Sequence, residues 1–311
     1  MTLLPFLREK GFLFSKTGIM KKVYINEYGP RVSAAVYGFW RWTEEDLQDT
    51  KNFEDVVLFT RELGIDTYDL SPGHGAYELE TQFGKLIESG VINQSELVLS
   101  KKVGLREYSG AYGSGIYYDL SPQYITTSVE ESLKRLKRDK IEILILENFD
   151  FLSDFEQTAS ALLKLQRSGK ISYIGVSNFN VFQQRLLSAS LSQPIITNHL
   201  ELNLLQTEAL HDGRYDFIRE QHGRAMAFSP LADGRILLGE DAQAVKLRLA
   251  LIEIGKKYEA NVEQIAVAWL NKLGALPIIG SKEKRRIQNA ATAHTFELSQ
   301  EDWYFLYNAT K

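Results

Sequence analysis

The chain alternates between two hydrophobic periods. From about residue 30, short runs of alternating or solid apolar residues read as strands. Each is followed by a segment whose apolar residues recur every three or four positions, the spacing of an amphipathic helix. Strands are predicted over 33–40, 66–70, 97–101, 141–146, 173–176, 195–200, 225–228 and 275–279. Helices are predicted over 53–64, 78–89, 121–136, 155–168, 181–191 and 207–221, with two more before the last strand, one starting near 282 and one over 300–309. Local signals support these boundaries. Ser121 and Pro122 are an N-cap and first-turn pair ahead of Ile125, Val129, Leu133 and Leu136 on one face. Asn261 and Gln264 have the spacing of a capping box. A long loop rich in Gly and Tyr separates Lys101 from Ser121.

Regular strand–helix alternation with no linker or composition break predicts an α/β chain folded as one (β/α)₈ barrel, a TIM barrel with extra C-terminal helices. The barrel is expected over 31–311, with 1–30 an N-terminal extension holding a candidate short hairpin. Met20 opens "MKKVYINEYG" and is a second candidate start. "GAYGSG" at 110–115 lies in a loop and opens no helix, so it is not a dinucleotide fingerprint.

Composition narrows the function classes. The 311 residues are 44% hydrophobic and carry a formal charge of −4 with both signs interspersed, which gives no footprint for nucleic acid or an anionic membrane. The basic run "KRLKRDK" at 134–140 reads as a solvated helix end. The absence of cysteine excludes disulfides and thiolate chemistry and suits a cytoplasmic setting. The apolar block at 3–7 is too short for a signal peptide, and no run approaches a membrane span. His74, His199, His211, His222 and His294 show no metal-ligand spacing, so no metal is expected. The oligomeric state is left open.

Chemistry in such barrels gathers at the C-terminal ends of the strands. The residues there are Asp69 and His74 after strand two, Lys101 after strand three, and Glu147 closing "IEILILENFD" after strand four. Ser177 and Asn178 follow strand five, His199 lies in strand six, and Phe228 and Ser229 end strand seven. Strand eight leads to Ser281, Lys282 and Arg286, and strand one to Trp40, Arg41 and Trp42.

With these residues in view, the chain resembles the aldo-keto reductase superfamily over nearly its whole length from about Tyr37, and within it the bacterial NADPH-binding oxidoreductase branch. The resemblance rests on "GIDTYDLSPGHG", "LVLSKKVG", "IEILILENFD", "GKISYIGVSNF", "TNHLELNLL", "AFSPLADGRIL" and "LPIIGSKEKRR" in the family's order. It implies NADP(H) as cofactor and a small carbonyl compound as substrate. Ser177, Asn178 and His199 would hold the nicotinamide carboxamide, with His199 where the family usually has Gln. Phe228 would stack on the ring, and Ser229, Leu231, Gly234 and Arg235 would line the pyrophosphate. Ser281, Lys282 and Arg286 would meet the 2′-phosphate at a helix N-terminus, although Glu283 stands where many relatives have another Lys. Trp40, Arg41 and Trp42 would wall the substrate pocket.

Two positions depart from the family's Asp, Tyr, Lys, His tetrad, which here reads Asp69, His74, Lys101 and Glu147. The phenol that protonates the carbonyl oxygen is replaced by an imidazole, a stronger but shorter acid. Tyr77, or a tyrosine of the loop 108–118, is an alternative phenol. A steroid-reducing branch of the superfamily carries Glu at the position of Glu147 and reduces a conjugated double bond, but it keeps its tyrosine. Two readings result: an NADP(H)-dependent oxidoreductase with an altered acid, or a catalytically impaired NADP(H)-binding sensor or scaffold. A barrel glycosidase lacks a second carboxylate at strand seven, where Phe228 and Ser229 stand.

Overall fold

The computed structural model describes residues 20–70, 76–110 and 113–310. A hairpin of β1 (Lys22–Tyr24) and β2 (Arg31–Ser33) comes first. The barrel strands are β3 (Val36–Gly38), β4 (Thr67–Leu70), β5 (Val98–Val103), β8 (Ile141–Glu147), β9 (Ile171–Ser177), β10 (Asn198–Glu201), β11 (Met226–Phe228) and β12 (Leu276–Ile279). They pair in parallel, and β12 against β3 closes the ring. A second hairpin, β6 (Leu105–Gly110) with β7 (Gly113–Tyr118), rises between β5 and the next helix.

The helices follow their strands. They are α1 (Glu44–Gln48), α2 (Thr50–Glu62), α3 (Ala76–Glu88), α4 (Pro122–Leu136), α5 (Phe155–Arg167), α6 (Val181–Ser188), α7 (Arg214–Glu220) and α8 (Arg235–Leu238). Then come α9 (Ala242–Tyr258), α10 (Val262–Leu273), α11 (Lys284–Thr292) and α12 (Gln300–Asn308). Caps explain several starts. Ser121 accepts from the Tyr124 amide at α4, and Asn261 and Gln264 close the expected capping box at α10.

Because side chains alternate across a strand, the barrel wall separates two cores. The inner one contains Val36, Val98, Ile143, Ile145, Ile196, Met226, Leu276 and Ile278. Ile25 and Val32 of the first hairpin join this cluster, so the hairpin stoppers the lower end of the barrel. The outer core packs strands on helices and includes Leu99, Leu144 and Ile174. Each such burial contributes about 1.5–3 kcal/mol relative to exposure. The inner core is tight: a side chain at Gly175 would come within 2.5 Å of Ile145 Cδ1.

Several sequence expectations change. The helix expected over 207–221 is reduced to α7, Arg214–Glu220, and the sixth barrel strand begins at Asn198. The predicted 33–40 strand is two elements, with residue 33 in the floor hairpin and only Val36–Gly38 in the barrel. The third barrel strand runs past Lys101 to Val103. The Gly- and Tyr-rich loop is largely the β6–β7 hairpin, whose exposed faces carry no apolar alternation to betray it. The eighth barrel helix begins at Lys284, two residues later than expected.

Candidate functional site

Asp69, Lys102, Glu147 and His199 meet inside the upper end of the barrel. Asp69 on β4 accepts a hydrogen bond from Ser100 Oγ at 3.1 Å, across the pairing of Asp69 with Ser100. Lys102 Nζ lies 3.9 Å from Asp69 Oδ2, 3.8 Å from Glu147 Oε1 and 5.9 Å from the centre of the Phe228 ring. His199 Nδ1 is 3.9 Å from Asp69 Oδ1. Register places three of the expected residues at one level, since Glu147 pairs with Ser177 and Ser177 with His199.

This cluster is largely buried and incompletely satisfied. Glu147 Oε2 and both ring nitrogens of His199 are buried without a hydrogen-bond partner, a costly state unless another molecule completes it. Burial raises the pKa of Glu147 and Asp69 adds to the rise, against the opposing pull of Lys102. Burial lowers His199 to about 4, with Asp69 resisting, so its imidazole is neutral. The site thus combines an ammonium, one firmly buried carboxylate, a carboxyl inclined to hold its proton and a neutral imidazole.

Lys101 is not part of this group. Its ammonium sits 2.8 Å from Glu80 Oε1 on α3, behind the barrel wall, and Arg135 Nε and Ser132 Oγ complete the same carboxylate. Burial pushes the Glu80 pKa up, but Lys101 and Arg135 outweigh it and hold the carboxyl below its usual value. Neighbouring strand residues face opposite sides, so of the two lysines in "SKKVG" only Lys102 points inward. His74 lies outside the described residues.

The alternative phenols separate clearly. Tyr77 is exposed and stacks under the Arg135 guanidinium. Tyr108 is half exposed and packs on Tyr117. Among the described phenols Tyr118 comes nearest, its hydroxyl accepting from Asn148 Nδ2 at 2.9 Å beside Glu147, while Asn178 Nδ2 donates to Asn148 Oδ1 at 3.3 Å; Tyr112 lies outside the described residues. Asn148 and Asn178 both have left-handed backbones, φ 56° and 60°, which Asn tolerates better than most residues. Gly104, at φ +126°, turns the chain from β5 into the hairpin; a side chain there would press on the Glu147 carbonyl at 3.1 Å.

The residues expected around a cofactor or substrate lie at the exits of β9, β10, β11, β12 and β3. Ser177 is buried, and Phe228 is partly open beneath the mouth. Ser229 Oγ donates to Asp233 Oδ1, which also meets Arg41 Nη2 at 3.2 Å. Trp40 is partly exposed, lies against Gly280 and stacks with Arg41. Leu231 is packed against the outer core, and Gly234 has φ +93°. Arg235 pairs with Asp241, Lys282 with Asp46 at 2.7 Å and Arg286 with Glu263 at 2.7 Å. Ser281 Oγ accepts from the Glu283 amide. The N-cap of α11, Glu283, makes no side-chain cap, which leaves first-turn amides for an anion.

Trp42 does not wall a pocket. It is 1% exposed, packs on Phe39 and Phe53, and donates from Nε1 to the Tyr37 hydroxyl at 3.1 Å. Lys102, Ser100 and Asn148 are the residues of this cluster that the sequence reading missed, whereas Tyr118 was among the loop tyrosines offered as an alternative phenol. For Lys102 the available signal was its inward parity with Ser100 on the strand.

A closed parallel barrel with ionisable groups at its strand exits belongs to the class of (β/α)₈ enzymes with the site at the upper face. The chain belongs to the Aldo/keto reductase family, whose model matches residues 35–307. It is therefore an oxidoreductase of a family that uses nicotinamide cofactors on small carbonyl compounds. It is 31% identical over 284 residues to the uncharacterized oxidoreductase YcsN of Bacillus subtilis, covering 90% of this chain and 94% of that protein. It is 29% identical to the 6-dehydroglucose reductase of Agrobacterium fabrum, covering 89% and 93% of the two chains. The glycerol dehydrogenase AKR11B4 from Gluconobacter oxydans shares the fold at TM-score 0.80, with 19% identity and coverage of 93% and 94%. Among the described residues no helix is long and apolar enough to cross a membrane, and no group of His, Cys, Asp or Glu is arranged to hold a metal ion.

Proposed function

We propose that this protein is an NADP(H)-dependent reductase of small carbonyl compounds in which Glu147 is the acid and Lys102, in place of Lys101, is its cationic support. The observation carrying this reading is Lys102 Nζ lying between Asp69 and Glu147, beneath a carboxyl oxygen and an imidazole that lack protein partners. The buried Ser177 hydroxyl and the unpartnered nitrogens of His199 fit a carboxamide, and Phe228 offers an aromatic face to the nicotinamide ring. When bound, the cofactor supplies a hydride to the carbonyl carbon.

The chain's own residues manage the proton. Burial disfavours the charged form of Glu147 and so favours its holding one, and the protonated carboxyl releases that proton toward the substrate oxygen as negative charge develops there. Lys102 then stabilises the carboxylate left behind, and Asp69, fixed by Ser100, orients Lys102. His199 stays neutral and serves as a hydrogen-bonding partner. His74, carried in sequence at the family's phenol position, is the second acid candidate. The raised Glu147 also favours a second reading, reduction of a double bond conjugated to a carbonyl, in which the carboxyl hydrogen-bonds the carbonyl oxygen.

Fluorescence titration with NADPH and NADH, followed by turnover on an aldehyde and on a conjugated enal, tests both. Tight NADPH binding with aldehyde turnover supports the carbonyl reading. Exclusive enal turnover moves the assignment to the double bond. Cofactor binding without turnover of either makes the protein a nicotinamide sensor.

A further inference from the structure

Helix α9 is apolar on two sides. Its inner face buries Ala244, Leu247, Leu251 and Ile254 against the barrel's helical layer. Its outer face exposes Val245, Leu249 and Ile252, with Leu249 63% exposed. A helix apolar on both sides is normally covered on both. The neighbouring α12 runs antiparallel to α9, as the Lys257–Asp302 pair at one end and the Gln243–Thr310 hydrogen bond at the other require. It adds exposed Tyr304 and Phe305 to the same flank. Between the helices lies a groove of about 480 Å³ lined by Lys246, Leu249, Glu253, Phe305 and Asn308 among others. It shares no residue with the barrel mouth.

The order of charges along α9 identifies the occupant. Leu249 is central; Val245 and Lys246 lie one turn before it, and Ile252 and Glu253 one turn after. Reversing the helix about Leu249 therefore brings Val245 and Lys246 onto Ile252 and Glu253, apolar against apolar and cation against anion. Such self-complementarity is what a two-fold interface requires, and a parallel arrangement would set the charged flank of one helix against the apolar flank of the other. We propose that this flank binds a second copy of the chain, with the two α9 helices antiparallel across a two-fold axis at Leu249. Each Leu249 then enters the other copy's α9–α12 groove, and Lys246 meets Glu253 twice.

Sedimentation velocity and light scattering of the full chain at micromolar concentration test this. The expected species has twice the 35.4 kDa chain mass. Leu249→Arg, at an exposed position, is expected to give a folded monomer with unchanged circular dichroism. Lys246→Glu or Glu253→Lys alone sets like charges together and should weaken association about tenfold or more, while the two combined restore it. A wild-type chain that stays monomeric to high micromolar concentration overturns the proposal. So does a dimer unaffected by Leu249→Arg and by both single reversals.

Discussion

Lys101 and Lys102 are consecutive on β5 yet act on opposite sides of the barrel wall: Lys101 reaches Glu80 at 2.8 Å behind it, and Lys102 lies 3.8 Å from Glu147 within it. Their substitutions therefore separate. Lys102→Met should lower turnover per folded molecule about 10²–10⁴-fold, the contribution of a supported acid. Lys101→Met should leave turnover per folded molecule nearly intact. It should cost about 3 kcal/mol of stability by uncovering the buried Glu80 carboxylate. Kinetics together with urea denaturation of both variants checks this; the reverse pattern would restore Lys101 to the site.

Glu147 sets a pH limb of opposite sign to that of ordinary carboxylates. Its folded pKa lies above the unfolded one, so the native state keeps a proton that the unfolded chain releases. Stability is then full below the unfolded value and declines as pH rises through the folded one. Glu147→Gln should raise the melting temperature at alkaline pH and change little near pH 4. Because Glu147 is the proposed acid, the variant should also lose about 10²–10⁴-fold in carbonyl reduction, and with it the decline at rising pH that is expected of the wild type. Melting scans and pH–rate profiles of the two proteins decide it.

His199 acts at the acid end. With a folded pKa of about 4 against the ordinary histidine value of 6.5, the unfolded chain takes up a proton that the native chain refuses. Stability falls as pH drops from 6.5 toward 4, by about 3 kcal/mol in all. His199→Gln should flatten the decline of melting temperature over that window while retaining cofactor binding. An equally steep decline in the variant would place the acid sensitivity elsewhere.

Lys282 is held by Asp46, and that carboxylate is kept below its usual range chiefly by Lys282 itself. A 2′-phosphate at this end of α11 has to compete for the ammonium. Lys282→Ala should weaken NADPH binding about tenfold, the low end of the scale of one charge-assisted hydrogen bond because Asp46 competes for the ammonium, and leave NADH binding unchanged. Equal loss for both dinucleotides would remove Lys282 from phosphate discrimination.

The barrel was legible because each parallel strand is a short apolar run buried on both faces, followed by an amphipathic helix. Asp69 and Glu147 stood out as carboxylates at the ends of such runs. Lys102 did not, because two adjacent lysines differ only in strand parity, and a one-residue register choice exchanges inside for outside. Trp42 was misplaced for a related reason: the chain turns back after Phe39, and nothing in "FWRWT" says which indole re-enters the core. The β6–β7 hairpin escaped because both its faces meet solvent.

The hairpin that carries Ile25 and Val32 into the inner core makes the barrel a blind well. Solvent exchanging with Glu147 or His199 must pass through the same opening that admits a ligand. Whatever occupies that opening also isolates the acid, so the proton present when the well is stoppered is the one available until it is opened again.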